Sequence, residues 1–422
     1  MRTLGRLTRS RKNLFIGAGF AGLLAALAVG QAALEETAAA QATKGGVMAP
    51  RFEVDPFWPK PLPNHWVLGQ TIGVWVDSDD HIWIVHRSSA TLDEQEKGAE
   101  LGNSECCSGA PPVLEFDQAG NLLRRWGGPG QGYEWPDGNH GIYIDHKGFV
   151  WIGGNGPNDS HVLKFTKDGR FVMQVGRKGV RRRAGAGAGK EEGQVAGFVG
   201  NSNDQESFGR VAKIFVDAQA NEAYLADGYL NKRVAVIDAD TGKLKRYWGA
   251  YGNRPDDTPL PAYNPAGPPN QQFRNPVHCA DLSTDRMLYV CDRAHDRLQV
   301  FRPDGTFVRE GFIARNTKAS GSVWDVAFSR DPQQRFIYVP DGMNNRVRII
   351  DRQSLQEITS FGDGGRQPGQ FYGVHSIATD SQGNIYTTET WEGKRLQKFL
   401  FRGLAPVQPN QGVVWPQTAS SK

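Results

Sequence analysis

One pattern recurs six times between Val67 and Phe401, and it limits the fold more than any other feature of the chain. Each copy has a short apolar strand ending near Asp or Ser, a tight turn, a β-rich strand, a third strand, a turn such as Asp-Gly, and a last strand ending in Trp-Gly or Phe-Gly. The first two copies are GVWVDSDDHIWIVHR with VLEFDQAGNLLRRWG, and HGIYIDHKGFVWIGGN with VLKFTKDGRFVMQVG. The third starts at KIFVDAQANEAYLADGYLNKRV, the fourth at HCADLSTDRMLYVCDRAHDRLQVF, the fifth at WDVAFSRDPQQRFIYVPDGMNNRV and the sixth at HSIATDSQGNIYTTETWEGKRLQKFLF. A four-stranded sheet cannot bury both faces alone, so such units stack radially, and the pattern predicts an all-β, six-bladed β-propeller over 52–403 with a tail at 404–422. The sixth copy lacks an obvious fourth strand. An open ring would expose a sheet edge, so the segment near Phe52 to Trp58 is expected to supply it.

Residues 1–42 read as an export signal. Arg2, Arg6, Arg9, Arg11 and Lys12 precede an apolar run from Leu14 to Leu34, and Ala40-Gln41-Ala42 offers small residues for cleavage. Left uncleaved, the same run is long enough for a membrane anchor, the one membrane contact the sequence suggests. The chain carries a net charge of +4, but five basic and two acidic residues lie in that segment, so +1 remains for the rest and nothing calls for nucleic acid. The expected setting is periplasmic or secreted, and the expected state a monomer. Export also places Cys106, Cys107, Cys279 and Cys291 where disulfides persist. Cys279 and Cys291 fall on neighbouring strands of the fourth unit, which suits a cross-strand bridge. Cys106-Cys107 leaves two readings: capture of a soft metal, or a solvent-facing loop or loop-to-loop bridge.

Aligning the first strands on their terminal Asp or Ser singles out three histidines. His140, His278 and His375 each stand five residues before Asp145, Ser283 and Asp380, while the other copies carry Ile72, Ala212 and Trp324 at that position. First strands line the central channel of a propeller, so copies two, four and six aim three imidazoles at the axis. Three neutral imidazoles with an open position form the donor set of a catalytic zinc site. His65, His81, His86, His146, His161 and His295 lack this register and are assigned to the surface or to support behind the site.

Three further residues gain meaning beside a metal. Arg87 ends IWIVHR, where a guanidinium at the channel mouth suits a carboxylate. Tyr229, in DGYLNKR, is either an apolar plug, as Met343 and Trp391 are at matching positions, or a phenol acting as a base. Arg293, in CDRAHD, is a third candidate, with pairing to Asp292 or to a neighbouring blade as its bland alternative. Insertions at Ser88 to Pro111, Arg177 to Phe208 and Ala250 to Asn275 interrupt the repeats, the second carrying Arg181-Arg182-Arg183 in what reads as a solvated loop.

The units resemble NHL repeats, and the site residues, with their surroundings, resemble those of peptidyl-α-hydroxyglycine α-amidating lyase. GVWVDSDDHIWIVHR, NHGIYIDHKGFVWI, YLADGYLNKRV, NPVHCADLSTDRMLYVCDRAHDRLQVF and GVHSIATDSQGNIY carry the likeness in chain order. The resemblance implies zinc on His140, His278 and His375, Tyr229 taking the proton of the substrate hydroxyl, and Arg87 holding a carboxylate. It further implies a small-molecule or peptide substrate that collapses to an amide and glyoxylate. That family also holds a structural calcium through an aspartate directly after the third histidine. Ser376 stands there, so calcium is a weaker expectation than zinc and needs a shifted ligand set. Two rivals stay open: a zinc hydrolase on the same scaffold, and a non-catalytic exported propeller that binds protein or glycan through its loops.

Overall fold

The computed structural model describes residues 46–180 and 198–416; the proposed signal at 1–42 and Arg181 to Arg183 lie outside them. Pro50–Gly403 with residues 408–416 form the main unit, and residues 46–49 with Leu404–Val407 form a small one, within which the Val407 amide donates to the Val47 carbonyl at 2.8 Å. Among the described residues no helix is long and apolar enough to cross a membrane.

The main unit is a six-bladed propeller of four-stranded antiparallel sheets. From the axis outward, blade 1 is Thr71–Val76, Ile82–His86, Val113–Phe116 and Leu122–Trp126, and blade 2 is Asn139–Ile144, Phe149–Gly154, His161–Thr166 and Phe171–Gly176. The inner strands of blades 3 to 6 are Val211–Asp217, Val277–Leu282, Ala327–Phe328 and Val374–Thr379. Blade 6 takes its outer strand from the start of the chain, where Met48–Asp55 lies beside Leu396–Pro406. The closing strand therefore ends at Asp55, short of the expected Trp58. Trp58 instead packs on Phe116 of blade 1 and Tyr386 of blade 6, with ring centroids at 6.0 and 5.0 Å.

The residue that ends each first strand explains the repeat. In blade 2, Asp145 accepts the Lys147 and Phe149 amides at 2.9 Å each and the Trp151 indole N–H at 2.9 Å, fixing the turn and the strand after it. Asp77 does the same with Asp79, His81 and Trp83, and Asp380 with Gln382, Asn384 and Tyr386. Each such bond contributes about 1 kcal/mol, and losing the acceptor would leave a buried donor stranded at greater cost. The blades then pack through layers of fully buried side chains such as Trp83, Trp151, Tyr224 and Tyr289.

Five of the six inner strands also share a defect that matters for function. Their pairing with the second strand slips between Thr71 and Gly73, Asn139 and Ile142, Val211 and Lys213, Val277 and Cys279, and Val374 and Ile377. Ile72, His140, Ala212, His278 and His375 thus sit in β-bulges. A bulge leaves its extra residue outside the ladder and re-aims it, so imidazoles turn to the axis while carbonyls of neighbouring blades stay free to accept.

Cys279 and Cys291 form the expected cross-strand disulfide, with Cα atoms 4.8 Å apart. Cys106 and Cys107 are bonded to each other, so these sulfurs are neither free thiolates for a soft metal nor a tie to another loop.

Candidate metal centre

His140, His278 and His375 converge on the axis, almost wholly buried, with ring centroids 4.8 to 5.1 Å apart and potential ligand atoms within 4.8 Å of one another. Each imidazole is fixed by a main-chain carbonyl of the next blade round. His140 Nδ1 donates to Ala212 O at 2.6 Å and His375 Nδ1 to Ile72 O at 2.6 Å, and His278 Nδ1 donates to Trp324 O. These acceptors are the residues that occupy the histidine register on the odd blades. A carbonyl oxygen can only accept, so every Nδ1 carries the proton and every Nε2 presents a lone pair. Metal-binding histidines are oriented in this way.

Burial, reinforced by neighbouring positive charge, holds all three imidazoles neutral. His375 is pushed down to about 3, and His140 and His278 fall well below the usual histidine range. The site therefore gathers three acceptors in a place that water barely reaches. Tyr229 Oη lies 3.0 Å from His140 Nε2 and 2.9 Å from His278 Nε2, but its single proton satisfies only one of them. Three buried acceptors sharing one proton form a donor set suited to a cation. The small cavity of about 10 Å³ that touches the three histidines is lined also by Lys213, Asp325 and Ser376, and not by Tyr229. The residues thus fit a three-imidazole metal, and the open side of the centre faces the phenol.

Tyr229 is held rather than merely filling space. Gly228 lies so close to the Val277 main chain that a Cβ there would collide with it, and Asn275 Nδ2 donates to the Gly228 and Asn231 carbonyls at 2.7 and 2.8 Å. The plug reading overlooks the polar contacts of the hydroxyl. Arg293 Nη1 donates to Tyr229 Oη at 3.1 Å, and its guanidinium lies 4.5 Å from the Trp324 ring centre. Of the two bland alternatives for Arg293, pairing with Asp292 is excluded, because Asp292 is engaged instead by His295 Nδ1 at 2.9 Å and by Arg297 Nε at 2.8 Å. Contact with neighbouring blades, the other alternative, is what Tyr229 of blade 3 and Trp324 of blade 5 provide.

Arg87 approaches from blade 1 and bonds to none of these groups. Gln70 Oε1 and Asn155 Oδ1 accept from its Nη atoms at 2.9 and 2.7 Å, and its buried Nε has no partner. Burial draws the guanidinium below its ordinary range against the pull of Tyr229 and Asp159, and its charge in turn weighs on His140 and His375. Two neutral amides position this cation without neutralising it, which leaves it able to take an anion.

Just beneath the histidines lies a charged layer that the sequence reading missed. Lys213 Nζ touches Asp281 Oδ1 at 3.0 Å and Asp325 Oδ1 at 2.5 Å, and Ser376 Oγ donates to Asp325 Oδ2 at 2.7 Å. Burial alone would lower the lysine, but the two carboxylates outweigh it and hold the ammonium above its usual range. The signal was present as charged residues inside apolar inner strands, in VAKIFVD, HCADL and WDVAF. This layer does not suit the calcium that the resemblance suggested. An ammonium already occupies the space between the carboxylates, Ser376 replaces the acidic ligand, and the nearby Cys279 sulfur is consumed in its disulfide. His86, His161 and His295 are also buried, and each supports a loop rather than the metal centre.

No family model matches the chain, and no curated protein matches it. Among solved structures, a streptogramin B lyase is similar at 13% identity and a TM-score of 0.48, over 84% of this chain and 98% of that one. A catalytically inactive virginiamycin B lyase from Staphylococcus aureus with quinupristin is similar at 15% identity and a TM-score of 0.43, over 83% and 85% of the two chains. A protein of unknown function from Bacteroides thetaiotaomicron follows at 13% identity and a TM-score of 0.44, over 80% and 70%. At such distances these likenesses add nothing on chemistry, which rests on the side chains of the axis.

Proposed function

We propose that the protein is a zinc-dependent lyase that cleaves the C–N bond of an N-acyl-α-hydroxyglycine-type carbinolamide, giving an amide and glyoxylate. The observation that carries this reading is Tyr229 Oη, placed within 3.1 Å of two imidazole Nε2 atoms and of the Arg293 guanidinium. His140, His278 and His375 would hold zinc through Nε2, where it supplies a Lewis acid that lowers the pKa of the substrate hydroxyl. Arg87, uncompensated by any carboxylate within bonding distance, takes the substrate carboxylate in a bidentate pair. Tyr229, held by Arg293 at 3.1 Å, takes the hydroxyl proton. The C–O bond then becomes C=O, the C–N bond breaks with its electron pair moving to nitrogen, and Tyr229 returns the proton to that nitrogen. Hydroxyl proton lost and amide proton gained balance, so no oxidant or water is consumed.

Periplasmic or secreted location and a monomeric state belong to the same proposal, and both disulfides support an oxidising compartment. The test is direct. Purified protein is assayed for bound metal and for glyoxylate release from N-benzoyl-α-hydroxyglycine; about one zinc per chain with glyoxylate is expected. Zinc without glyoxylate would move the protein to another metalloenzyme class, and absence of metal would leave a binding propeller.

A further inference from the structure

The insertion between Ala250 and Asn275 encloses a second cavity, of about 470 Å³, on the blade 4 side of the ring. Its wall contains three arginines with unequal status. Arg297 is neutralised by Asp292 at 2.8 Å and Glu310 at 3.3 Å. Arg274 and Arg315 have no carboxylate partner among the described residues. Their Nη2 atoms reach only carbonyls, Pro261 O for Arg274 and Gly267 O, at 2.8 Å, for Arg315. Both Nε atoms are buried without any partner, and Arg274 as a whole is 2% exposed. Phe312 fixes Arg315 from one side at 4.1 Å, and the Tyr263 ring packs tilted against His295 with centroids 5.6 Å apart. Nearby Asp296 does little to offset the positive charge, because burial raises its carboxyl to about 8. One buried and one half-buried guanidinium, both without a carboxylate partner and beside an open volume, suit an anion.

Position relates this pocket to the metal centre. Arg293, Ala294 and His295 form one short turn, with Arg293 on Tyr229 and His295 on Tyr263. In a ring of six, blade 4 stands opposite blade 1, which carries Arg87. A substrate whose carboxylate rested on Arg87 and whose carbinol carbon sat at the axis would have the blade 4 side of the ring, where the cavity is lined by His295 of the Arg293 turn, left for its acyl group. Resting on the function proposed above, we propose that the pocket receives the acyl end of the substrate and selects acyl groups that end in an oxyanion, a carboxylate or a phosphate.

The experiment compares glyoxylate release from N-glutaryl-α-hydroxyglycine and N-pentanoyl-α-hydroxyglycine, which differ at the terminal carboxylate. The glutaryl compound should show a KM about tenfold lower, as expected for a charge-assisted contact, and Arg315→Gln should erase that preference. Arg315 is partly exposed, so its replacement spares the fold. Equal KM values, or a preference that survives in Arg315→Gln, would overturn the proposal. A second arm separates the pocket from the lyase reading: calorimetric binding of glutarate and of inorganic phosphate to the His278→Ala protein, with Arg315→Gln added. Binding that depends on Arg315 supports the pocket even where no glyoxylate is ever released, and the anion that binds identifies the oxyanion. Failure of both anions to bind refutes the pocket even if the lyase is active.

Discussion

Even and odd blades of this propeller share one backbone and do different work. At one register, blades 2, 4 and 6 supply His140, His278 and His375, whereas blades 1, 3 and 5 supply the carbonyls of Ile72, Ala212 and Trp324. The even blades contribute side-chain chemistry and the odd blades contribute its orientation. Only the first depends on residue identity, since every residue type offers a carbonyl oxygen. The comparison teaches that a repeat protein can place a threefold site on a sixfold scaffold by alternating who carries the ligand and who holds it.

Replacing a ligand should have the largest effect. His278→Ala should abolish stoichiometric metal binding and lower glyoxylate release at least about 100-fold, read by metal analysis and steady-state kinetics. Ile72→Val, on an odd blade, keeps its carbonyl and should leave metal content unchanged; an equal loss in both would break the comparison. Next comes Tyr229→Phe, which retains the three imidazoles but removes the proton acceptor. Metal content should persist while kcat falls about 10²- to 10⁴-fold, the usual range for a general base. A fall in metal content instead would make Tyr229 a structural partner of His140 and His278.

Much of this was legible because it breaks a repeat. Six aligned strands made the ring predictable, and three histidines in one register made the axis predictable. Arg293 and Tyr229 were legible only as a pair of candidates, since their contact joins blades 3 and 4 and is 64 residues apart in sequence. The carbonyl acceptors were not legible at all: Ala212 O and Ile72 O matter through bulges that no side chain announces, and Trp324 O through main chain ahead of a two-residue strand. The layer of Lys213, Asp281 and Asp325 was visible in principle, as charge within strands expected to be buried. It went unread because each residue stands alone in sequence and gains a partner only across the channel.

That layer sharpens the division of labour, because blade 3 supplies its only cation and blades 4 and 5 its carboxylates. Lys213→Met should strand two buried carboxylates and destabilise the fold by about 3–5 kcal/mol, measured by chemical denaturation. A loss under about 1 kcal/mol would mean that water or a bound cation replaces the ammonium and would reopen the calcium question.

The smallest expected effect concerns a histidine used in the opposite sense. Where blades 3, 4 and 6 end their second strands on Asp227, Asp292 and Glu389, blade 1 ends on His86. Those carboxylates accept the Gly209, Arg274 and Tyr372 amides, and His86 Nδ1 accepts the Gly69 and Ser88 amides at 3.1 and 3.0 Å while Nε2 donates to Pro111 O at 2.9 Å. Its proton therefore sits on Nε2, the reverse of the metal-site tautomer. Protonating Nδ1 would set a donor against two donors in a buried site, and burial holds His86 down at about 4 against an ordinary 6.5. Between those values the unfolded chain binds the proton and the folded chain does not, so this group's contribution is complete above pH 6.5 and is lost as pH falls toward 4. His86→Gln offers a neutral acceptor and donor at every pH. Its unfolding free energy should therefore fall less between pH 7 and pH 4.5 than that of the unaltered chain, by about 2–3 kcal/mol in denaturation titrations at the two pH values. Parallel loss in both proteins would show that blade 1 tolerates a charged anchor, and that its histidine is no more than another way of making the contact that a carboxylate makes elsewhere.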